Sequence, residues 1–251
     1  MIRTVVVGVA AGFLSGLFGV GGGILVVPAL VLVLGMDQRM AHGTSLASVL
    51  PIAVASLAGY AFADEVDWAV AAPLAVGAVS GAILGTRLLQ VLPQRTLAYS
   101  FAGLLLVTAL RLFVPIDATG RGDLGVVSVL LLVVVGAAAG IVAGLLGVGG
   151  GIVMVPLMVV ALGMPPVVAK GTSVAVIVPT SIMGTWRNRK KKTAELRIAA
   201  IVGGAGVISA VLGTIVSRSL NDDLANVLFA VLLTLVSLKL LFDQRRTAGA
   251  H

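Results

Sequence analysis

Residues 16–28 read GLFGVGGGILVVP, and residues 144–156 read GLLGVGGGIVMVP, the same stretch met again 128 positions later. The offset holds outward without a gap. Gly35-Met36 answers Gly163-Met164, Gly43-Thr44-Ser45 answers Gly171-Thr172-Ser173, and Pro51 answers Pro179. Further on, Leu84-Gly85-Thr86 answers Leu212-Gly213-Thr214, and Phe101-Ala102 answers Phe229-Ala230. Solenoid units run to about 20–50 residues, so this period describes a duplicated half-protein instead. In an apolar chain such a duplication is the mark of a transporter fold.

Composition sets the medium. The 251 residues are 59% hydrophobic and 11% charged, where a soluble domain carries about 25% charged residues. With a mean hydropathy of +1.16, the chain reads as an all-α polytopic membrane protein, each span needing about 20 apolar residues. The absence of cysteine excludes a disulfide framework and thiolate chemistry. Two histidines offer little for a metal cage, and no metal or cofactor is expected. The net charge of +7 invites a nucleic-acid reading. Yet the densest cluster, Arg187-Asn188-Arg189-Lys190-Lys191-Lys192, lies between two apolar spans, where aromatic residues for base stacking are nearly absent. Positive charge there marks a cytoplasmic loop. The partners expected are a small anion and the lipid bilayer, with no nucleic acid; the oligomeric state is not legible. Residues 1–18, with Arg3 near the start, could resemble a signal peptide, but their counterpart at 131–146 lies in mid-chain, so both are read as structure.

The first membrane repeat spans 1–114, with apolar segments at 4–18, 23–35, 43–62, 67–92 and 96–114. Proline, glycine and charge meet in RLFVPIDATGRGD (111–123), which places a linker at 115–122. The second repeat spans 123–242, with segments at 123–146, 151–163, 171–186, 196–217 and 223–242, and a polar tail follows at 243–251. The opening segment of each half is the odd one. As a single helix, 4–35 would run about 48 Å against a hydrocarbon core of about 30 Å. Gly19-Val20-Gly21-Gly22-Gly23 interrupts it, and each glycine costs a helix about 1 kcal/mol relative to alanine. Each arm alone is only about 20 Å long. The reading is a glycine-broken, re-entrant hairpin followed by three spans in each half. Returning hairpins give an odd number of crossings per half, hence inverted repeats with both termini in the cytoplasm. The alternative lets each broken segment cross once, giving eight spans and parallel halves; the positive-inside rule separates the two layouts only weakly.

Gly8, Gly12 and Gly16, repeated as Gly136, Gly140 and Gly144, have the spacing by which membrane helices pack closely, as do Gly77, Gly81 and Gly85. Three glycines in succession do something else. Gly21, Gly22 and Gly23, with Gly149, Gly150 and Gly151, can turn several N–H groups onto one point, an anion-binding nest. The helices that follow aim their positive ends at it. The competing reading is a tight turn and nothing more. Next, Ala41-His42-Gly43-Thr44-Ser45 and Ala169-Lys170-Gly171-Thr172-Ser173 set a basic-capable residue before two hydroxyls. This is an N-cap signal first. It also suits an oxyanion, with Thr44, Ser45, Thr172 and Ser173 as binding residues and His42 and Lys170 as electrostatic guides. His42 also leaves a coupling open, since its ordinary pKa is about 6.5. Pro28, Pro51, Pro156 and Pro179 are expected to kink their helices.

These stretches resemble the TauE/SafE-type sulfite exporters. GLFGVGGGILVVPAL with AHGTSLASVLP, and GLLGVGGGIVMVPLM with AKGTSVAVIVP, carry the resemblance across essentially the whole chain. It implies a multi-spanning secondary transporter of the cytoplasmic membrane, without ATPase domains, moving sulfite, organosulfonates or related anions. It places motif positions at Gly19, Gly21, Gly22, Gly23 and Pro28, and at Gly147, Gly149, Gly150, Gly151 and Pro156. Other classes fit less well. There is no GxxxxGK[ST] for an ATP-driven pump, and no repeated His/Asp/Ser constellation for an intramembrane enzyme. A passive anion channel and a transporter of a non-sulfur anion remain the alternatives.

Overall fold

A bilayer core offers no water to backbone amides, so an apolar chain satisfies them locally, in helices. The computed structural model describes residues 1–112, 125–220 and 222–248. The linker expected at 115–122 lies outside the described residues. Among the described residues ten helices follow one another: α1 (Ile2–Phe18), α2 (Gly23–Leu32), α3 (Gln38–Ala61), α4 (Trp68–Val91), α5 (Gln94–Leu112), α6 (Val126–Leu146), α7 (Gly151–Leu162), α8 (Pro166–Lys190), α9 (Leu196–Ser219) and α10 (Asp222–Ala248). Among the described residues there is no strand. Helices α3, α4, α6, α8 and α9 are each long and apolar enough to cross a membrane. Their outward faces carry apolar side chains such as Val76, Val134 and Ile208, a surface that only lipid or another apolar partner suits. The protein is a polytopic integral membrane protein.

Four helix starts, at Gly23, Gln38, Trp68 and Gln94, recur 128 residues later at Gly151, Pro166, Leu196 and Asp222. Several boundaries differ from expectation. Helices α3 and α8 begin five residues before the Gly-Thr-Ser triplets. Asp37 caps α3 through a carboxylate oxygen that accepts from Met40 N at 3.0 Å, and Pro166 occupies the first turn of α8, where its missing N–H is harmless. Neither triplet is therefore an N-cap; both lie inside helices, and their hydroxyls are left for tertiary bonds. Helix α10 runs on to Ala248, through most of the segment read as a tail. Pro28, Pro51, Pro156 and Pro179 all lie within helices.

The glycine stripes are packing faces, and they join the two halves. A Cβ on Gly8, Gly12 or Gly16 of α1 would strike the carbonyls of Val202, Gly206 or Ala210 of α9. In the same way Gly77, Gly81 and Gly85 of α4 press on Val133, Ala137 and Ile141 of α6. Both series advance together, so α1 runs parallel to α9, and α4 to α6. Helix α3 also parallels α9, since Ser48, Ile52 and Gly59 meet Gly203, Gly206 and Thr214 in order. Helices α3 and α8 run in opposite senses: Gly43 lies against Asn188 and Thr193, while Gly171 lies against Tyr60 and Glu65. Consequently α1, α3 and α9 all start at one end of the bundle, and the α1–α2 hairpin returns to the end from which it came.

Candidate functional site

Each hairpin turns on residues that only glycine tolerates. Gly19, Gly21 and Gly22 have φ of 67°, 78° and 72°, and Gly147, Gly149 and Gly150 repeat this at 70°, 78° and 88°. Left-handed backbone costs an L-residue with a side chain about 1–2 kcal/mol at each position. The two bends meet. A Cβ on Gly23 would lie 2.6 Å from Gly147 O, and one on Gly151 would lie 2.8 Å from Gly19 O. Gly21 and Gly149 both face Ile177 and Val49, at the middles of α8 and α3.

What the bends offer is a set of backbone donors. Gly19 N and Gly147 N are taken by Ser15 O and Ala143 O, and Leu25 N and Val153 N by Gly22 O and Gly150 O. Between these, among the described residues, the N–H groups of residues 20–24 and 148–152 have no protein acceptor. All of these residues are buried. A buried amide without an acceptor costs about 1–3 kcal/mol. Two such runs at one interface make a site that an oxyanion would satisfy, with the N-termini of α2 and α7 adding their dipoles.

The Gly-Thr-Ser residues serve the bends from the opposite half. Ser45 Oγ donates to Gly147 O at 2.7 Å, and Ser173 Oγ donates to Gly19 O at 2.5 Å. In a planar trans peptide the C=O and the following N–H point opposite ways. Each serine, by holding a carbonyl, therefore turns the N–H of Val148 or Val20 away from itself. Thr44 Oγ1 accepts from Glu195 N, and Thr172 Oγ1 accepts from Asp67 N, both at 2.9 Å. The threonines thus fix the residues that enter α9 and α4. The serine hydroxyls spend their protons on the bends, whereas the threonine hydroxyls act as acceptors in these bonds.

His42 and Lys170 are not loop residues. His42 is fully buried, donating from Nδ1 to Leu146 O at 2.7 Å with Phe101 at 5.5 Å, and its Nε2 has no partner. Lys170 is 5% exposed, packs against Gly19, and reaches Ser217 Oγ at 3.4 Å. Each stands beside the bend of the other half. Sequence reasoning passed over Tyr60 and took Asn188 only as part of a basic loop; Asn188 lies within α8, and both residues are fully buried. Tyr60 OH donates to Gly16 O at 2.6 Å, locking the end of α1. The signal was present: Tyr60 and Asn188 are themselves 128 residues apart, each in the last turn of its helix, Tyr60 alone among apolar neighbours and Asn188 within the basic run 187–192.

Comparison with known proteins agrees with this architecture. The family model described as "Sulfite exporter TauE/SafE" matches residues 1–112 and 132–251. The chain is 29% identical to a probable membrane transporter protein of Xylella fastidiosa (strain 9a5c), covering 95% of this chain and 94% of that one. It is 26% identical to the probable membrane transporter protein YunE of Bacillus subtilis (strain 168), covering 95% and 96%. A probable membrane transporter protein of Methanocaldococcus jannaschii is 30% identical over 72% of this chain and 69% of its own. No solved structure matches the chain significantly. Doubled glycine bends, helices that interlock across two halves and whole-length relatives all converge: the chain belongs to the TauE/SafE sulfite exporter family of membrane transporters, and is not an enzyme.

Proposed function

We propose that this protein is a secondary transporter that moves small sulfur oxyanions, sulfite, an organosulfonate or a related organic anion, across the cytoplasmic membrane. The carrying observation is the pair of buried glycine bends, whose acceptor-free N–H groups lie together where the two halves meet. The substrate class draws on the family description. Gly21, Gly22 and Gly23, with Gly149, Gly150 and Gly151, form the anion nest. Ser45 and Ser173 orient it, and Thr44 and Thr172 brace the helices around it. His42 and Lys170 tune the charge beside it. Sulfite flux into proteoliposomes tests the reading. Saturable uptake at carrier rates, inhibited by sulfonates, is the expected result. Single-channel currents would make the protein a channel, and indifference to every sulfur oxyanion would remove the substrate class.

The opposite senses of α3 and α8 support inverted repeats, since parallel halves would require those two helices to run the same way. The end where α1, α3 and α9 start carries Arg39, Arg87, Arg95, Arg197 and the 187–192 cluster. The other end carries Asp64, Glu65 and Asp67, with Arg218 held by Glu65 at 3.0 Å. By the positive-inside rule the basic end is cytoplasmic, with the N-terminus beside it. A single cysteine at Ala63 should react with a membrane-impermeant maleimide added outside intact cells. One at Gln94 should react only after permeabilisation. The reversed pattern would invert the orientation.

A further inference from the structure

At the basic end, the last turns of α4 and α8 enclose a cavity of about 380 Å³ that the bends do not use. Its lining includes Arg87, Gln90, Arg187, Asn188, Lys190 and Lys191, and no acidic residue. Helix C-termini carry partial negative charge, so these cations have gathered where the backbone itself repels anions; the side chains must supply the attraction. The guanidinium groups are available. Arg87 makes no hydrogen bond or ion pair among the described residues, and Arg187 uses only Nε, donating to Thr86 Oγ1 at 2.8 Å. Lys190 is held at the rim by its ammonium, 3.9 Å from the centre of the Trp186 ring.

The floor supplies an independent observation. Asn188 lines the cavity and is 0% exposed, yet its Nδ2 has no hydrogen-bond partner. A buried amide donor of this kind calls for an acceptor. The corresponding place at the other end of the bundle is closed: Arg218, 128 residues after Gln90, is bound to Glu65 and to Gly59 O. Two forked guanidiniums, a buried amide donor and two ammonium groups match the tetrahedral oxygens of a phosphate. Trp186, half exposed on α8, is the side chain that marks headgroup depth in a membrane.

We propose that this pocket binds a phosphate group at the membrane surface, the chemistry shared by an anionic phospholipid headgroup and free inorganic phosphate. The purified full-length protein in detergent is titrated with phosphatidylglycerol, with phosphatidylcholine of the same acyl chains, and with inorganic phosphate, and occupancy is read by native mass spectrometry. Phosphatidylglycerol should be retained in preference to phosphatidylcholine. Arg87→Gln, at an exposed position that folding does not depend on, should weaken it about fivefold, and Arg87→Gln with Arg187→Gln about thirtyfold. Lys239→Gln, an equal charge loss on α10, should leave it unchanged. Inorganic phosphate bound with the same arginine dependence, without lipid preference, would uphold the site and make its ligand the free ion. No preference and no phosphate binding would overturn the proposal, as would a preference that survives both arginine substitutions. Binding is measured without transport, so either outcome leaves the reading of the glycine bends untouched.

Discussion

Gly22→Val and Gly150→Val are expected to lower anion flux by at least about a hundredfold, a loss of roughly 2.7 kcal/mol in transition-state terms, while the proteins still insert. The physical reason lies in the backbone. Gly22 and Gly150 sit at φ of 72° and 88°, and a β-branched residue resists that conformation most strongly. A Cβ on Gly22 would also lie 2.7 Å from Ala11 O, and one on Gly150 would lie 3.1 Å from Ala139 O. These added atoms face α1 and α6, not the meeting point of the bends. The variants therefore act by turning the N–H fan out of register, and not by filling the anion's place. Gly35→Ala is the control, because Gly35 has φ of 67° with nothing within 4 Å of its Cβ position. It carries similar backbone strain outside the bends and should keep flux within about twofold. Normal flux from a well-inserted Gly150→Val protein would remove the bends from the transport path.

Gly81→Val is the second large effect, and it falls on assembly. Its Cβ would strike Ala137 O, a backbone atom that cannot step aside without moving α6. In lipid there is no hydrophobic drive to hold two helices together, so close backbone approach is the main adhesive. Overpacking costs of about 1–3 kcal/mol correspond to a fall in thermal midpoint of roughly 2–12 °C for a protein of this size. The value for Gly81→Val is expected at the upper end, with aggregation in size-exclusion chromatography. Gly204→Ala, on α9 with nothing within 4 Å of its Cβ position, should melt at or above the parent temperature, since alanine favours helix over glycine. Equal melting of Gly81→Val and the parent would show that the α4–α6 contact is not what holds the bundle.

The site itself was legible in part. Runs such as Gly21-Gly22-Gly23 announce left-handed backbone because no other residue adopts it cheaply, and all of Gly19, Gly21 and Gly22 do so. The triplets Gly43-Thr44-Ser45 and Gly171-Thr172-Ser173 look like helix starts and are not, because Ser and Thr favour N-caps only where nothing else supplies one. Asp37 and Pro166, five or six residues upstream of the two triplets, supply the start instead, and the pattern of the triplets alone does not reveal it. The serines' true partners, Gly147 O and Gly19 O, lie 102 and 154 residues away.

By itself the sequence determined the solvent, the helices and the breaks between them. Each of these is decided locally, by hydropathy along about 20 residues and by the backbone freedom of glycine. Only the tertiary structure decided which helices pair. Small-residue stripes occur on α1, α4, α6 and α9 alike, so the sequence allows several equally good pairings. The structure selects α1 with α9 and α4 with α6, each pair drawn from both halves. Exchanging helices in this way brings the bends face to face and lets Ser45 and Ser173 reach across to orient them. A contact between residues more than a hundred positions apart depends on the closed packing of the whole bundle, and no local pattern encodes it.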